Sequence, residues 1–336
     1  MSDNNARLAC LRSLLDDGGG RIRFDRWMDA ALFDPVVGYY SASISRIGAD
    51  FTTWPELDAS LAVALAAWWR AASPSTGRAL VEVGAGNGQL AREVLRQCPW
   101  WRRPSLRIVE KSPVLAARQR ARLGRSARWA DSVTEALDGG NGAIYANELI
   151  DAFPCRIFRQ PTRGIWEELW LEPVNQRLAE TWLPAADLPD SSAFDTDLPS
   201  GSRVEVHESF HAWLKNLAPG IRRARWLFVD YGAESPEVYR RSPRGTFRAY
   251  QHHQRILPPE AYSAFGRRDL TADVNFTDIA RTARSLGWEV VRSCRLGDFL
   301  EQFAPGARTS SQGQLFAPGG AASAFHVMEC ITSPKS

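Results

Sequence analysis

The chain has 336 residues, 44% hydrophobic and 24% charged, which suits one large domain with additions or two adjoining domains and argues against a disordered or fibrous chain. A net charge of +3, with acids interspersed among the arginines, is too small to indicate nucleic acid as a partner. No apolar run is long enough to span a bilayer, and Cys10, Cys98, Cys155, Cys294 and Cys330 form no C-x-x-C pair, so they support neither a disulfide frame nor a zinc site.

In chain order, residues 4–75 read as mostly helical. "MSDNNARLAC" carries no secretory or transit signal, so the expected location is the cytoplasm. "ARLACLRSLLDD" has apolar residues at helical spacing and stops at Gly18, Gly19 and Gly20. "RFDRWMDAAL" is a second helix, ended by the turn "FDPVVGYY". "DFTTWPELDASLAVALAAWWRAA" is a third, with Thr53 as its cap and Pro55 and Glu56 in its first turn. The pairs Trp68-Trp69 and Trp100-Trp101 are expected to pack helices or line an interface.

From residue 78 strands and helices alternate. "RALVEVG", "SLRIVE", "ARWAD" and "GAIYANE" read as strands, with helices "NGQLAREVLRQC" and "SPVLAARQRARL" between them, the latter capped by Ser112 with Pro113 at its first position. Such alternation predicts an α/β fold with a mostly parallel sheet covered by helices. "FPCRIFRQPTRGIWEELWLEP" follows as a β-hairpin turning at Thr162-Arg163-Gly164, and residues 184–201 as an exposed loop. "FHAWLKNLAPG" and "FTDIARTARSLG" are helices, and "ARWLFVDYG", "WEVVRS" and "FHVMECITS" are further strands. The expected organisation is a helical region at 1–75 and a core at 76–332 carrying insertions at about 152–222 and 232–276.

The glycine turn in "VEVGAGNGQL" narrows the ligand. A dinucleotide fingerprint needs a third glycine where Gln89 stands. The pattern is instead E-x-G-x-G-x-G, built on Glu82, Gly84, Gly86 and Gly88, which resembles motif I of methyltransferases that use S-adenosylmethionine (SAM). Glycines there let the backbone approach the methionine and ribose parts of the cofactor. The strand ends supply matching residues: Glu110 for the ribose hydroxyls, Asp131 near the adenine, and Asn147 and Glu148 beside the transferable methyl. Glu56 is a further candidate, closing over the cofactor from the N-terminal region.

Longer stretches resemble the MidA family of SAM-dependent methyltransferases, which includes the mitochondrial complex I assembly methyltransferase. They are "FDRWMDAALFDPVVGYYS", "DFTTWPEL", "VEVGAGNGQLAREVL", "IVEKSPVLAARQR", "ANELIDAFP", "VEVHESFHAW", "FVDYG", "RGTFRAYQHH" and "DLTADVNFTDIA", and they run from about residue 20 to 332. The resemblance implies a class I, Rossmann-like core with a seven-stranded sheet, an N-terminal helical region and an inserted segment that covers the substrate. It also implies arginine methylation of a protein, with a respiratory complex I subunit as acceptor and the mitochondrial matrix as the compartment of eukaryotic relatives. The chain departs from the family at Ala85 (usually Pro), Trp54 (a small residue), Asp273 (His) and Asn275 (Asp). The last three changes bear on the acceptor rather than on the cofactor.

Methyl transfer demands alignment more than acid–base work. A guanidinium acceptor needs carboxylates, and Glu148 and Asp151 would share one face of a helical turn after the fourth strand. His252 is the candidate base for the proton lost from the methylated nitrogen. Read as strand neighbours, His252 and His253 face opposite ways and make no metal pair, and no metal site is expected. Two other readings fit the same residues: a small-molecule N- or O-methyltransferase, and an assembly factor that binds SAM without turnover. The sequence carries no signal for an oligomeric state.

Overall fold

The structure, a computed structural model, describes residues 3–42, 58–137, 139–175, 177–306 and 320–332. The chain divides into two compact units. One comprises Met1–Phe51, Ile150–Ala212 and Ala233–Asp278; the other comprises Thr52–Leu149, Trp213–Gly232 and Ile279–Ser336. The region 1–75, read from sequence as one helical layer, thus contributes to both: Phe24–Phe33 lies in the first and Ser60–Thr76 in the second.

The second unit is built on a seven-strand path, numbered here in chain order: β1 (Ala79–Val83), β2 (Ser105–Val109), β3 (Arg128–Ala130), β4 (Asn141–Asn147), β5 (Arg223–Ala233), β6 (Glu289–Arg295) and β7 (Phe325–Ile331). Their order across the sheet is β6-β7-β5-β4-β1-β2-β3. The first five strands pair in parallel, and β7 runs antiparallel to both β5 and β6. A parallel sheet needs both faces covered, which explains why β1 reads as a near-continuous apolar run and is buried from Leu80 to Val83. The strand order steps outward from β1 in both directions. A crevice therefore opens beyond the C-terminal ends of β1 and β4, the usual ligand position in such sheets.

Helix Ser60–Thr76 covers this sheet with Leu61, Leu65, Trp68 and Ala72, which meet Leu80, Tyr145, Leu227 and Val327 in one apolar cluster. Trp68 is fully buried and its indole Nε1 donates to Glu329 Oε1 at 2.9 Å, so a large ring is accommodated without an orphaned donor. Trp100 and Trp101 differ: they sit in the 3-10 turn Trp100–Arg102, 77% and 60% exposed. Helix Pro113–Leu123 starts as the sequence predicts, with Ser112 Oγ accepting from the Leu115 amide.

The other unit carries two antiparallel sheets. Strands Ile22–Arg23, Ile165–Val174, Arg156–Thr162 and Arg203–Val206 lie side by side, and Arg177–Pro184 pairs with Ile165–Val174. The hairpin predicted around Thr162-Arg163-Gly164 is present, and its continuation Arg177–Pro184, which the sequence reading missed, extends it to a meander. Inside, Arg156 is buried and forks onto Glu168 at 2.6 and 2.9 Å, and it also donates to Asp187 and Glu208. A small sheet orders Gln254–Ile256, Arg248–Gln251 and Asp269–Thr271. Phe24, Trp27, Phe247 and Tyr262 interlock as an aromatic core, with Phe24 edge-on to Phe247 at 4.7 Å and Phe247 stacked on Tyr262. Among the described residues no helix is long and apolar enough to cross a membrane.

Candidate cofactor site

The expected cofactor residues gather along one edge of the seven-stranded path. Register fixes this: Val83 pairs with Val109 and with Ala146, and Asn147 with Val229, so the chain leaves β1, β2 and β4 at a common level beside Val229 of β5. The Gly84 amide donates to Val109 O at 2.9 Å, and the Glu148 amide donates to Val229 O at 2.9 Å, which staples these exits together.

The three motif glycines all have positive φ: 69° at Gly84, 51° at Gly86 and 76° at Gly88. A Cβ on Gly84 would lie 2.6 Å from Leu149 Cδ1, whereas one on Gly86 would meet no protein atom within 4 Å. Gly86 therefore presents bare backbone to open space. Asn87 tightens the turn, its Oδ1 accepting from the Gln89 amide and from Arg122.

Glu82 is wholly enclosed, beside the equally buried hydroxyl of Tyr145. Burial pushes its carboxyl up to about 8; the Tyr145 hydroxyl eases the shift and Glu110 adds to it. Glu110 is more open, its Oε1 accepting from the Ser112 amide and its Oε2 from Gln119 Nε2, both at 2.9 Å. Its pKa is also raised, by burial first, with those hydrogen bonds opposing. Asp131 is exposed at the end of β3, and its amide donates to Glu135 Oε2. Asn147 Nδ2 donates to Glu148 Oε1 at 3.0 Å, while Asn147 Oδ1 is buried without a partner. Glu148 adopts φ 51°, a left-handed conformation uncommon outside glycine. Glu56 and Trp54 lie outside the described residues.

Two expectations are corrected. Glu148 and Asp151 do not share a helical face: the turn after β4 is a 3-10 turn confined to Ile150–Ala152, and Glu148 precedes it in left-handed backbone. Asp151 is buried, with Oδ2 accepting from Thr271 Oγ1 at 2.7 Å and its carbonyl accepting from the Ala272 amide. Burial raises its pKa, against the pull of Thr271 and Arg248. His252 and His253 are not strand residues. They are the exposed two-residue turn between Arg248–Gln251 and Gln254–Ile256, both with positive φ, 51° and 60°. That geometry is a type I′ hairpin turn, for which histidine gives no sequence signal because Asn-Gly is the usual code.

The divergent "DLTADVNF" is woven into the packing. Asp273 ion-pairs with Arg248 at 2.7 Å and Arg241 at 2.8 Å. Asn275 Nδ2 donates to Ser192 Oγ and to the Tyr239 hydroxyl. Among the described residues no group of three or more His, Cys, Asp or Glu side chains is placed to hold a metal.

Known proteins supply the family. Residues 60–294 match the family described as "Putative S-adenosyl-L-methionine-dependent methyltransferase". The chain belongs to this methyltransferase family. It is 28% identical to the zebrafish (Danio rerio) protein named protein arginine methyltransferase NDUFAF7, mitochondrial, over 79% of this chain and 69% of that one. To the human protein of the same name it is 26% identical, over 79% and 66%. A crystal structure from Burkholderia thailandensis bound to S-adenosyl-homocysteine superposes with a TM-score of 0.86 at 26% identity, covering 100% of this chain and 94% of that one. A second, native structure from the same organism gives 0.84. The protein is thus a SAM-dependent methyltransferase with the α/β fold of its class, and the Rossmann-like sheet read from the sequence is the sheet observed.

Proposed function

We propose that this methyltransferase modifies arginine side chains of a protein, and that the glycine turn with Glu82, Glu110, Asp131, Asn147 and Glu148 holds its cofactor. The relatives named as protein arginine methyltransferases support the acceptor class. The observation that carries the site is Glu148. A glutamate held at φ 51° where β4 ends is backbone strain kept in place by its Val229 contact, and strain of this kind collects at functional positions.

The residues suit the cofactor's functional groups. Gly86 leaves open space against bare backbone, so a ligand can approach main-chain amides there. Glu110 keeps lone pairs for a vicinal diol after accepting from Ser112 and Gln119. The orphaned Oδ1 of Asn147 is an acceptor that a donor such as an ammonium or an amine would satisfy. Bound SAM supplies an electrophilic methyl on a sulfonium. The chain's task is to hold the acceptor nitrogen in line and to accept charge-assisted hydrogen bonds from the rest of the guanidinium, a role for Glu148 with Asn147 fixing its orientation. Asp151 and His252, named from sequence for the clamp and the base, keep weaker support: one is latched to Thr271 and the other is exposed in a hairpin turn.

The proposed compartment is the cytoplasm, where the enclosed thiols of Cys98, Cys155 and Cys330 remain reduced. The proposed acceptor includes a respiratory complex I subunit. The test is incubation of the purified protein with labelled SAM and a cell extract, followed by mass spectrometry. Methylarginine in a protein, lost with Glu148→Gln, is the expected result; label confined to small metabolites would overturn the protein-directed reading in favour of a small-molecule methyltransferase.

A further inference from the structure

Gln119 is completely buried on helix Pro113–Leu123, yet its amide is fully used. Nε2 donates to Gly86 O at 2.9 Å and to Glu110 Oε2 at 2.9 Å, and Oε1 accepts from Trp129 Nε1 at 3.0 Å. These partners belong to three different strand exits: the glycine turn after β1, the acid after β2 and the indole on β3. The orientation of the amide is dictated from both ends, because rotating it by 180° would set oxygen against two acceptors and nitrogen against a donor. Gln119 packs against Gly88, where a Cβ would sit in ordinary contact with its Cγ at 3.4 Å.

We infer that Gln119 is a positioning residue for the cofactor, coupling the Gly86 backbone to the Glu110 carboxylate so that the two present themselves together. Without it, Glu110 would keep its backbone tethers from Ser112 and Lys111 but lose the side-chain donor that holds Oε2. The Gly86 carbonyl would lose the Gln119 hydrogen bond, freeing the peptide to relax within the turn. Gln119 reaches the cofactor through these two groups rather than by touching it. The inference rests on assigning Glu110 to the ribose, and one experiment separates the two claims.

Binding of S-adenosyl-homocysteine is measured by calorimetry for the wild type, Gln119→Met, Glu110→Ala and the double variant, with melting temperatures alongside. Gln119→Met keeps the volume and removes the amide. It should weaken binding about 10-fold or more in the wild-type background and at least threefold less steeply when Glu110 is already gone, because coupled residues are not additive. An equal loss in both backgrounds, or no loss, overturns the inference; an unchanged Kd for Glu110→Ala overturns the ribose assignment instead. Should Gln119→Met fail to fold, Trp129→Phe removes only the N–H that orients the amide. It should weaken binding a few-fold with the melting temperature nearly unchanged, and an unaltered Kd would likewise refute the coupling.

Discussion

Substituting the first two motif glycines one at a time separates strain from ligand contact. At Gly86 an alanine methyl meets no protein atom within 4 Å, so the cost to folding is backbone strain alone. A left-handed φ of 51° costs a non-glycine residue roughly 1–2 kcal/mol, and stiffening the unfolded chain returns about 0.4–1 kcal/mol. The net loss for Gly86→Ala is about 1 kcal/mol, a fall of a few degrees in melting temperature. The methyl nevertheless stands where a ligand would touch the backbone, so S-adenosyl-homocysteine binding should weaken at least tenfold, and Gly86→Val should abolish it. At Gly84 the same methyl lands 2.6 Å from Leu149 Cδ1. The end of the Leu149 side chain must swing aside, while its backbone amide stays tied to Asp230 Oδ2. Gly84→Ala should therefore cost up to about 1 kcal/mol more in stability than Gly86→Ala. Chemical denaturation without ligand, paired with calorimetry, reads both effects. If Gly86→Ala destabilised the protein as much as Gly84→Ala while leaving the ligand Kd intact, the open-cradle argument would be wrong.

Glu82 makes stability depend on pH. Its folded pKa of about 8 lies above the ordinary 4.5, so the folded state holds a proton that the unfolded chain releases in between. Stability of the ligand-free protein should fall as pH rises from about 4.5 to 8, by a few kcal/mol at most from this group, and Glu82→Gln should reduce that slope in urea titrations at several pH values, leaving the contributions of the other carboxyls raised by burial, Glu110, Asp151 and Glu205. Glu148→Gly should raise stability by about 1 kcal/mol by relieving its positive φ, while methyl transfer measured with labelled SAM collapses; a variant that gains stability and keeps full activity would remove Glu148 from the proposed machinery. Trp68→Ala should cost about 3–5 kcal/mol, through a cavity and an abandoned Glu329 contact, whereas Trp100→Ser and Trp101→Ser, at exposed positions, should each stay within about 0.5 kcal/mol in the same denaturation assay.

Much of the cofactor half was legible in the order of residues, because its signals are local. A strand, a glycine turn and a helix occupy consecutive positions, and the acid ending the next strand, Glu110, stands at a fixed offset from helix 113–123. The Ser112 cap, the Thr162–Gly164 hairpin and the parallel strands needed only neighbours in sequence. The helical turn joining Glu148 to Asp151 was misread because backbone conformation at Glu148 is held by Val229, 81 residues away, through a hydrogen bond that no local propensity encodes. The His252-His253 turn was misread for a similar reason: the pairing of Arg248–Gln251 with its neighbours forces a tight reversal on residues without a turn code.

The sequence by itself determined the alternation of strands and helices, the glycine cradle and the identity of the groups at each strand end. These follow from short-range sterics and from periodicity, which the chain carries wherever it goes. Only the tertiary structure decided that Glu82 is sealed and reluctant to ionise, that Trp68 is core while Trp100 is surface, and that Gln119 ties three strand exits together. Burial and hydrogen-bond partnership depend on which distant segments arrive, and those arrivals come from the packing of the whole sheet.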